Sequence, residues 1–272
     1  MVYVYANEIE RRKWRDGLEN NAVIENMLNR KSIRRYTDEI PSDDVIHTIV
    51  RAGQQAPFAS QNYSILLSRK KRQPFGAPLL FTICVDLHKI ELIMKRRNWK
   101  PVSNDLISLI FGIQDATLMA ENMVMAAESL GMGSCFLGAA PYKAARIVKK
   151  YKLPKWVFPF VQLAMGYPAE NPPPRPRYPL EFVLFEDTYP ELSDEMVVQA
   201  MKRMDEGYLA QDYYRRAKYI IPLEAGREET FGYDDYSWTE HISRKGGQWH
   251  RSTQELLDQL EQCGFRIGID RE

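Results

Sequence analysis

The sequence predicts an α+β fold built around one long buried helix. Between Asp105 and Leu130, apolar residues recur at the spacing of one helical face, and further apolar residues occupy the other faces. A helix that is apolar nearly all round is buried in a domain centre or between subunits. Short β-like runs alternate with helical segments, which favours helices and strands in one domain. These runs are Ser64–Ser68, Leu79–Asp86, Ser134–Leu137 and Phe158–Met165.

The segment before the long helix opens with a charged stretch, residues 1–20, that we expect to be peripheral. Apolar residues at helical spacing predict a short helix over residues 21–30. A second helix begins at Ser42, whose hydroxyl can cap a first turn that carries two aspartates, and it ends near Gln55. The stretch around Pro57 cannot be regular, because proline restricts the residue before it and small polar residues follow.

The segment after the long helix alternates in the same way. Gly131 and Gly133 end the long helix, since glycine is common just beyond helix ends. The elements predicted beyond the strand that follows are a helix at about Tyr142–Tyr151, a strand at Glu181–Phe185, a helix at Asp194–Arg216 and, after an irregular stretch, a last helix near Thr253–Cys263.

Composition excludes several classes of protein. The chain has 272 residues, 44% hydrophobic and 27% charged, with a net charge of +1, so no whole-molecule field attracts nucleic acid or an acidic membrane. Its three cysteines are far apart and form no metal or disulfide pattern. No apolar leader and no run of roughly 18 apolar residues is present. We therefore expect a cytoplasmic protein with neither a nucleic-acid nor a membrane partner.

Common catalytic motifs are missing from the sequence. There is no phosphate-binding loop, dinucleotide fingerprint, serine nucleophile elbow or zinc-protease motif, and the four histidines lack the spacing of metal ligands. Cys135 is a conceivable nucleophile, but a cysteine in an apolar strand usually serves packing. Hydrolase and metalloenzyme functions are thus disfavoured, and we expect no metal site.

Two basic clusters stand out. In the first, we expect Ile33 and Tyr36 to point inward. This leaves Arg30, Ser32 and Arg34 on one side, where guanidinium groups and a hydroxyl suit phosphate. In the second, prolines restrict the backbone around Arg175 and Arg177. Either cluster alone is better explained as a solvated basic patch. Together, in a chain of almost zero net charge, they fit a two-sided phosphate clamp.

Four longer motifs stand out, namely RKSIRRYTDEIPSDDVIHTIVRAGQQAP, NMVMAAESLGMGSCFLGA, MGYPAENPPPRPRYPLEFVLFED and SWTEHISRKGGQWHRSTQELLDQLEQCGF. They resemble the nitroreductase superfamily over roughly residues 21–185, and its oxygen-insensitive NAD(P)H nitroreductase and flavin reductase branch as far as the C-terminus. Each motif alone is weak, but four in the family's order make coincidence improbable.

The resemblance implies a nitroreductase-like fold, in which helices flank a central mixed β-sheet and the long central helix is buried. It also implies a homodimer with an extended C-terminal segment. On this basis, residues 1–20 form a peripheral extension and residues 21–188 an FMN-binding core. Residues 189–272 form a helical extension that packs on the core or on the dimer partner.

The resemblance also implies which residues bind FMN. The phosphate and ribityl chain are assigned to one group, and the ring to a loop and to a glycine whose backbone N–H faces flavin N5. The phosphate group is Arg30, Ser32, Arg34, the adjacent Lys31, and Arg175 and Arg177, where Arg175 replaces the family's lysine. The ring group is Pro57, Phe58, Ala59, Ser60, Gln61, Asn62, Leu137 and Gly138. Within the loop, the resemblance assigns contact with the ring to Gln61 and Asn62 and to the backbone of Phe58 and Ala59.

Several positions depart from the family pattern. Ala139 stands where the branch has a second glycine, and Gln73 is a doubtful counterpart of its pyrimidine-binding glutamine. Residues 217–236 look inserted. Gln248 replaces a lysine that helps to bind the nicotinamide nucleotide, whereas Arg251 matches the arginine assigned to it. The preference between NADPH and NADH is therefore open.

The function implied is transfer of electrons from NAD(P)H through flavin N5 to a nitroaromatic, quinone or flavin acceptor, in a ping-pong cycle. Because the flavin performs the chemistry and water can supply protons, no catalytic side chain is expected. Two alternatives stay open. One is another reaction on the same fold, such as ene-reduction, dehalogenation, dehydrogenation or flavin breakdown; the other is an FMN-binding protein without turnover.

Overall fold

The computed structural model describes residues 21–69, 73–101, 105–224, 226–248 and 252–267. The predicted N-terminal extension, residues 1–20, lies outside them. The chain forms two compact units, described separately below. Unit 1 comprises Met1–Pro172 and Ser252–Glu272, and unit 2 comprises Pro173–Arg251. The division into residues 1–20, 21–188 and 189–272, which the family resemblance implied, stays a prediction.

A four-stranded sheet forms the centre of unit 1. Its strands are β1 (Tyr63–Ser68), β2 (Leu79–Asp86), β3 (Gly133–Leu137) and β4 (Val157–Gly166), in the order β1-β2-β4-β3. All three ladders are antiparallel, whereas the sequence predicted a mixed sheet. Parallel pairing in the described chain is limited to one bridge between Ser32 and Ser134. The period of apolar residues marks a strand but not its direction, which depends on the path of the helices between strands.

Five helices described between residues 21 and 172 accompany the sheet, and their positions follow the predicted pattern closely. The helix at Ser42 is capped as expected, since its Oγ accepts a hydrogen bond from Val45 N–H. One helix was not predicted from the sequence, the one over His88–Arg96. The helices are α1 (Ala22–Leu28), α2 (Asp43–Gln54), α3 (His88–Arg96), α4 (Asp105–Ser129) and α5 (Ala144–Tyr151).

The long helix α4 has one buried and one exposed face, and both are apolar. Its buried face, which includes Met119 and Met123, packs on the sheet and on α2. At the α2 contact, a Cβ added to Gly53 would lie 2.6 Å from Met123 Cγ, so only glycine permits this approach. The opposite face leaves large apolar side chains 41–53% exposed, namely Leu106, Ile107, Ile110, Phe111 and Leu118. The predicted burial of α4 is thus confirmed for one face within the chain.

Unit 2 is helical and has an aromatic core. Its helices are α6 (Asp194–Ala210), α7 (Tyr213–Ala217) and α8 (Trp238–Gln248). The single helix predicted over residues 194–216 is interrupted at Asp212, whose φ of 48° is left-handed. Helix α8 lies within the stretch predicted to be irregular. The core consists of Met204, Tyr208, Tyr214 and Tyr236.

The strand predicted at Glu181–Phe185 is wrong. The structure has a short 3-10 helix there, Leu180–Phe182, whose backbone bonds are local. Val183 N–H donates to Leu180 O at 3.0 Å, and Leu184 N–H donates to the same oxygen at 2.8 Å. A short apolar run forms a strand only where a neighbouring strand completes its hydrogen bonds, and the run alone does not encode that neighbour.

The last helix, α9 (Thr253–Gln262), belongs to unit 1. Leu260, Cys263 and Phe265 are buried in one cluster with Phe158 of β4. The side-chain Oε1 of Gln259 accepts a hydrogen bond from Ala145 N–H of α5 at 2.8 Å. The C-terminal end of the described chain therefore packs on the sheet that carries the predicted site.

Candidate functional site

The first basic cluster lies along the edge strand β3. Ser32 pairs with Ser134, and Ile33 N–H donates to Ser134 O at 2.8 Å. Ile33 is buried, as predicted, against Gly133, where an added Cβ would lie only 2.4 Å from Ile33 Cγ1. The cluster is thus fixed to the sheet by backbone pairing and by one inward side chain.

Arg30, Ser32 and Arg34 gather beside Cys135 of β3. Ser32 forms a hydrogen bond with the Cys135 thiol, and the charges of Arg34 and Arg30 act on it. Burial raises the pKa of this thiol in spite of these groups. A buried thiol that resists ionisation is a poor nucleophile, so the geometry agrees with a packing role for Cys135.

Glu170 contacts the two adjacent arginines differently: it bonds to the side chain of Arg35 but only to the backbone of Arg34. Its Oε1 accepts hydrogen bonds from the backbone N–H of Arg34 at 2.5 Å and of Arg35 at 3.1 Å. Its Oε2 pairs with Arg35 Nε at 3.2 Å. The Arg34 guanidinium lies 6.0 Å from the centre of the Phe75 ring, and no carboxylate of the described residues forms an ion pair with it. Arg34 is therefore the exposed arginine of this cluster that can bind an external anion.

Lys31 faces a different cavity. Its Nζ donates to Asn171 Oδ1 at 2.6 Å, within a cavity of about 570 Å³ that Glu128 and Gly131 also line. Burial raises the pKa of Glu128 to about 7, against the opposing charge of Arg30. Lys31 is thus held by an amide beside a carboxyl group that is partly protonated near neutral pH.

The predicted ring-facing loop is attached to the central helix by one carboxylate. Asp115 of α4 accepts hydrogen bonds from the backbone N–H groups of Ala59 at 2.6 Å, Ser60 at 3.1 Å and Asn62 at 2.9 Å. Gln61 has a left-handed φ of 52° and is exposed, as are Pro57, Phe58, Ala59 and Ser60. Asn62 is buried, and its Oδ1 has no hydrogen-bond partner among the described residues. The loop turns its backbone donors inward and most of its side chains outward.

Gly138 follows β3 directly and is exposed, whereas Leu137 is half-buried. No atom lies within 4 Å of a Cβ added to Gly138, and its φ is outside the left-handed region. Neither a close contact nor a left-handed backbone within the described chain therefore requires glycine at position 138. No described atom blocks the approach of a ligand to this position.

The second basic cluster packs against helix α6 in unit 2. Arg175 Nη1 donates to Gln211 Oε1 at 2.8 Å, and its guanidinium stacks 3.9 Å from the Tyr213 ring centre. Arg177 Nη1 folds back onto the carbonyls of Arg175 and Pro176 at 3.0 Å. Together with Lys202 and Arg203 they line a cavity of about 620 Å³.

The sequence did not single out Lys202 and Arg203. They lie on one face of α6 with Glu206, and Lys202 Nζ pairs with Glu206 Oε1 at 3.7 Å. Arg203 Nε donates to Arg177 O at 3.2 Å. A charged helix face is usually solvated, so only the folded chain reveals that this one faces the Pro174–Arg177 segment.

The structure describes two further positions from the sequence analysis, Gln73 and Gln248. Gln73 Nε2 donates to Ser68 Oγ at 2.7 Å. Gln248 bonds to the inserted segment, donating to Pro222 O at 2.5 Å and accepting from Glu224 N–H at 3.3 Å. Arg251 lies outside the described residues.

Other chemistries find no support in the parts of the chain that the structure describes. No group of three His, Cys, Asp or Glu side chains there could hold a metal ion. His241 Nδ1 lies 3.0 Å from the Tyr236 hydroxyl, and burial lowers the pKa of this histidine. Within the same residues, no helix has the length and apolar character needed to cross a bilayer.

The fold and the site define an α+β protein with exposed arginine clusters suited to an anionic small molecule. Residues 65–167 match the nitroreductase family. This is the family that the four motifs resemble, and the match covers the sheet and the long helix α4.

Relatives and solved structures agree over most of the chain. An FMN reductase [NAD(P)H] of Bacillus subtilis is 26% identical over 264 residues, 91% of this chain and 99% of the relative. An FMN reductase (NADPH) of the same species is 29% identical over 262 residues, 90% and 98% of the two chains. The structure of the NfrA1 nitroreductase from B. subtilis superposes with a TM-score of 0.72 at 26% identity, covering 89% of this chain and 98% of that one.

Proposed function

We propose that this protein is an FMN-dependent oxidoreductase that takes electrons from NAD(P)H and passes them to a small acceptor such as a nitroaromatic, a quinone or a flavin. The relatives named as FMN reductases match nearly the whole chain, including both basic clusters. When bound, FMN supplies the electron-transfer chemistry, and the protein supplies its binding and orientation.

The observation that carries the proposal is the composition of strand β3 and its borders. Ser32 pairs with Ser134, and two residues later Arg34 has no carboxylate paired to its guanidinium among the described residues. The open Gly138 lies four residues beyond Ser134. At about 3.3 Å per residue, Ser134 and Gly138 are roughly 13 Å apart, which suits a phosphate at one end and a flavin ring at the other. The residues present thus fit FMN.

Each part of the chain has a defined task in this proposal. Arg30, Ser32 and Arg34 hold the phosphate by charge-assisted hydrogen bonds. Arg175 and Arg177 are assigned the same role by their match to the family's motif. The loop over residues 57–62, together with Leu137 and Gly138, would hold the ring. The electron donor and the acceptor would use the same open side of the site in turn, and water would supply the acceptor's protons. A cytoplasmic location stays a prediction.

We expect the purified protein to release FMN and not FAD. Arginines that enclose a terminal phosphate leave little room for the adenylate that FAD carries beyond it. Chromatography of the heat-released flavin decides between the two. FAD as the main species would contradict the phosphate assignment.

Steady-state oxidation of NADH and NADPH tests turnover. The proposal expects oxidation that depends on an added quinone or nitroarene and on bound FMN. A protein that binds FMN but oxidises neither nucleotide with any acceptor would be the non-catalytic alternative. Oxidation of NADH or NADPH with an electron acceptor other than a quinone or nitroarene would instead favour another reaction on the same fold.

We also propose a homodimer that buries the exposed face of α4. Burying Ile107, Ile110 and Phe111 removes from water an apolar surface larger than single exposed side chains normally present. Unit 2 also exposes large apolar residues, namely Leu180, Val183, Leu184 and Tyr189. An extended apolar segment of this kind suits contact with a second copy.

Replacing Arg251 with alanine should raise the KM for the nicotinamide nucleotide and leave the FMN content unchanged. This is the pattern expected when an interaction common to ground and transition states is lost. The rise should be larger for NADPH than for NADH, because NADPH carries an additional phosphate. Arg266→Ala, which removes an exposed arginine elsewhere, is the control. Small and equal effects on both nucleotides would remove Arg251 from the nucleotide site.

A further inference from the structure

We infer that Asp115 is the positioning residue of the ring-facing loop, and that it makes Gln61, rather than Ala59, the residue that offers a backbone N–H to the flavin. The inference deepens the proposed function and rests on it. It is carried by the hydrogen bonds that join the central helix α4 to residues 59–62.

Asp115 is a buried carboxylate without a cationic partner. Its side chain is on a residue only 1% exposed, and no Lys or Arg of the described chain forms an ion pair with it. Three backbone N–H groups take the place of water, one on Oδ1 and two on Oδ2. A carboxylate in such surroundings is stable only while these donors stay in place, so carboxylate and loop fix each other.

The helix that carries Asp115 is among the most rigidly packed parts of unit 1. Its neighbours Ala116 and Met119 are 0% exposed. One turn earlier, a Cβ added to Gly112 would lie 2.4 Å from Val85 Cγ1 and 3.4 Å from Asn62 O. The loop is therefore held against the helix at two successive turns, and its shape is set before any ligand binds.

This arrangement decides which loop donors face outward. The N–H groups of Ala59, Ser60 and Asn62 point to Asp115 and are already bonded. Gln61 lies among them in the left-handed region, and its carbonyl accepts from Tyr63 N–H at 2.8 Å. Within residues 59–62, the N–H of Gln61 is the one for which no described atom accepts a hydrogen bond. A left-handed conformation is disfavoured for glutamine and occurs chiefly where surrounding structure imposes it, often at ligand sites.

The ligand chemistry follows from that donor. An N–H without an acceptor in the described chain, beside an exposed amide side chain, suits the edge of a flat heterocycle with carbonyl oxygens and ring nitrogens. The pyrimidine portion of a flavin has such an edge. Asp115 does not touch the flavin in this account; it acts through the loop.

Amide hydrogen exchange on the wild-type protein, with and without FMN, tests the inference directly. The amides of Ala59, Ser60 and Asn62 should already be protected in the FMN-free protein, and Gln61 should gain protection only when FMN is added. FMN binding that protects Ala59 and leaves Gln61 unprotected would overturn the inference alone. Failure of the wild type to bind FMN at all would overturn the proposed function, and the inference with it.

Two variants separate positioning from stability. Asp115→Asn should raise the Kd for FMN by roughly tenfold or more, the loss expected for a hydrogen bond to a charged group. Asp105→Asn removes another buried carboxylate of α4, which accepts Arg266 N–H at 2.8 Å, far along the helix from the loop. It should lower the melting temperature without changing the Kd. Equal effects of both on the Kd would show a general loss of stability and overturn the positioning role.

Gln61 itself supplies the remaining check. Gln61→Gly keeps the backbone N–H and suits the left-handed conformation, so it should weaken FMN binding clearly less than Asp115→Asn does. A loss as large as that of Asp115→Asn would assign recognition to the side chain and overturn the backbone role of Gln61.

Discussion

Replacing Arg34 with alanine should raise the Kd for FMN by roughly ten- to hundredfold. The loss corresponds to about 1.5–3 kcal/mol, the contribution of hydrogen bonds between charged groups. Arg34 is exposed, and among the described residues its guanidinium has the Phe75 ring as its neighbour and no carboxylate partner. The substitution should therefore leave the melting temperature of the FMN-free protein nearly unchanged. Fluorescence titration of that protein with FMN measures the effect.

Arg35→Ala is the matched control for this prediction. It removes the same charge one residue away, but from a guanidinium already paired with Glu170 at 3.2 Å. Its effect on FMN binding should be clearly smaller. Equal losses for the two variants would mean that the cluster is a solvated basic patch that attracts FMN only by its net charge.

The same fluorescence titration with FMN tests the second basic cluster. Arg177→Ala should weaken FMN binding to a similar degree as Arg34→Ala. Lys202→Ala removes a cation of the same cavity that is paired with Glu206, and it should matter less. If both Arg34→Ala and Arg177→Ala bind FMN as tightly as the wild type, the phosphate clamp is wrong.

Placing a glutamate at Ile110 should convert the protein from a dimer to a monomer. Ile110 is 47% exposed on the apolar face of α4, and a dimer with twofold symmetry would bury two copies of each substitution. An unpaired carboxylate in an apolar interface costs several kcal/mol, which is enough to dissociate an ordinary dimer at micromolar concentration. Light scattering should give about twice 31.7 kDa for the wild type and about 31.7 kDa for the variant.

Ile93→Glu is the control for the dimer prediction. Ile93 is 57% exposed on α3, outside the apolar face of α4, so the same substitution there should leave the dimer intact. A wild-type protein with the mass of a monomer at micromolar concentration, with FMN bound, would contradict the proposal. Dissociation by both variants would show that α4 is not specifically the interface.

The sequence by itself determined the elements whose signals are local. Ser42 and the two aspartates after it specify the start of α2, because a hydroxyl cap and acidic first-turn residues act within one helical turn. The apolar positions of α4 specify a helix that ends at Ser129, one residue before the predicted end. The first basic cluster was also visible, since alternation along an extended segment already places Ile33 on one side and Arg34 on the other.

Only the tertiary structure decided the features that join distant residues. Asp115 is more than 50 positions away from the loop it holds, and nothing in its local sequence marks it as the acceptor of three backbone N–H groups. The sequence did not single out Lys202 and Arg203; the fold places Arg203 against Arg177 and brings Lys202 into the same cavity. The antiparallel sheet likewise depends on how α4 returns the chain between strands. The periodicity of a sequence shows which face of a helix or strand is apolar. Which element covers that face, and which hydrogen-bond donors stay without an acceptor, depends on how the elements pack.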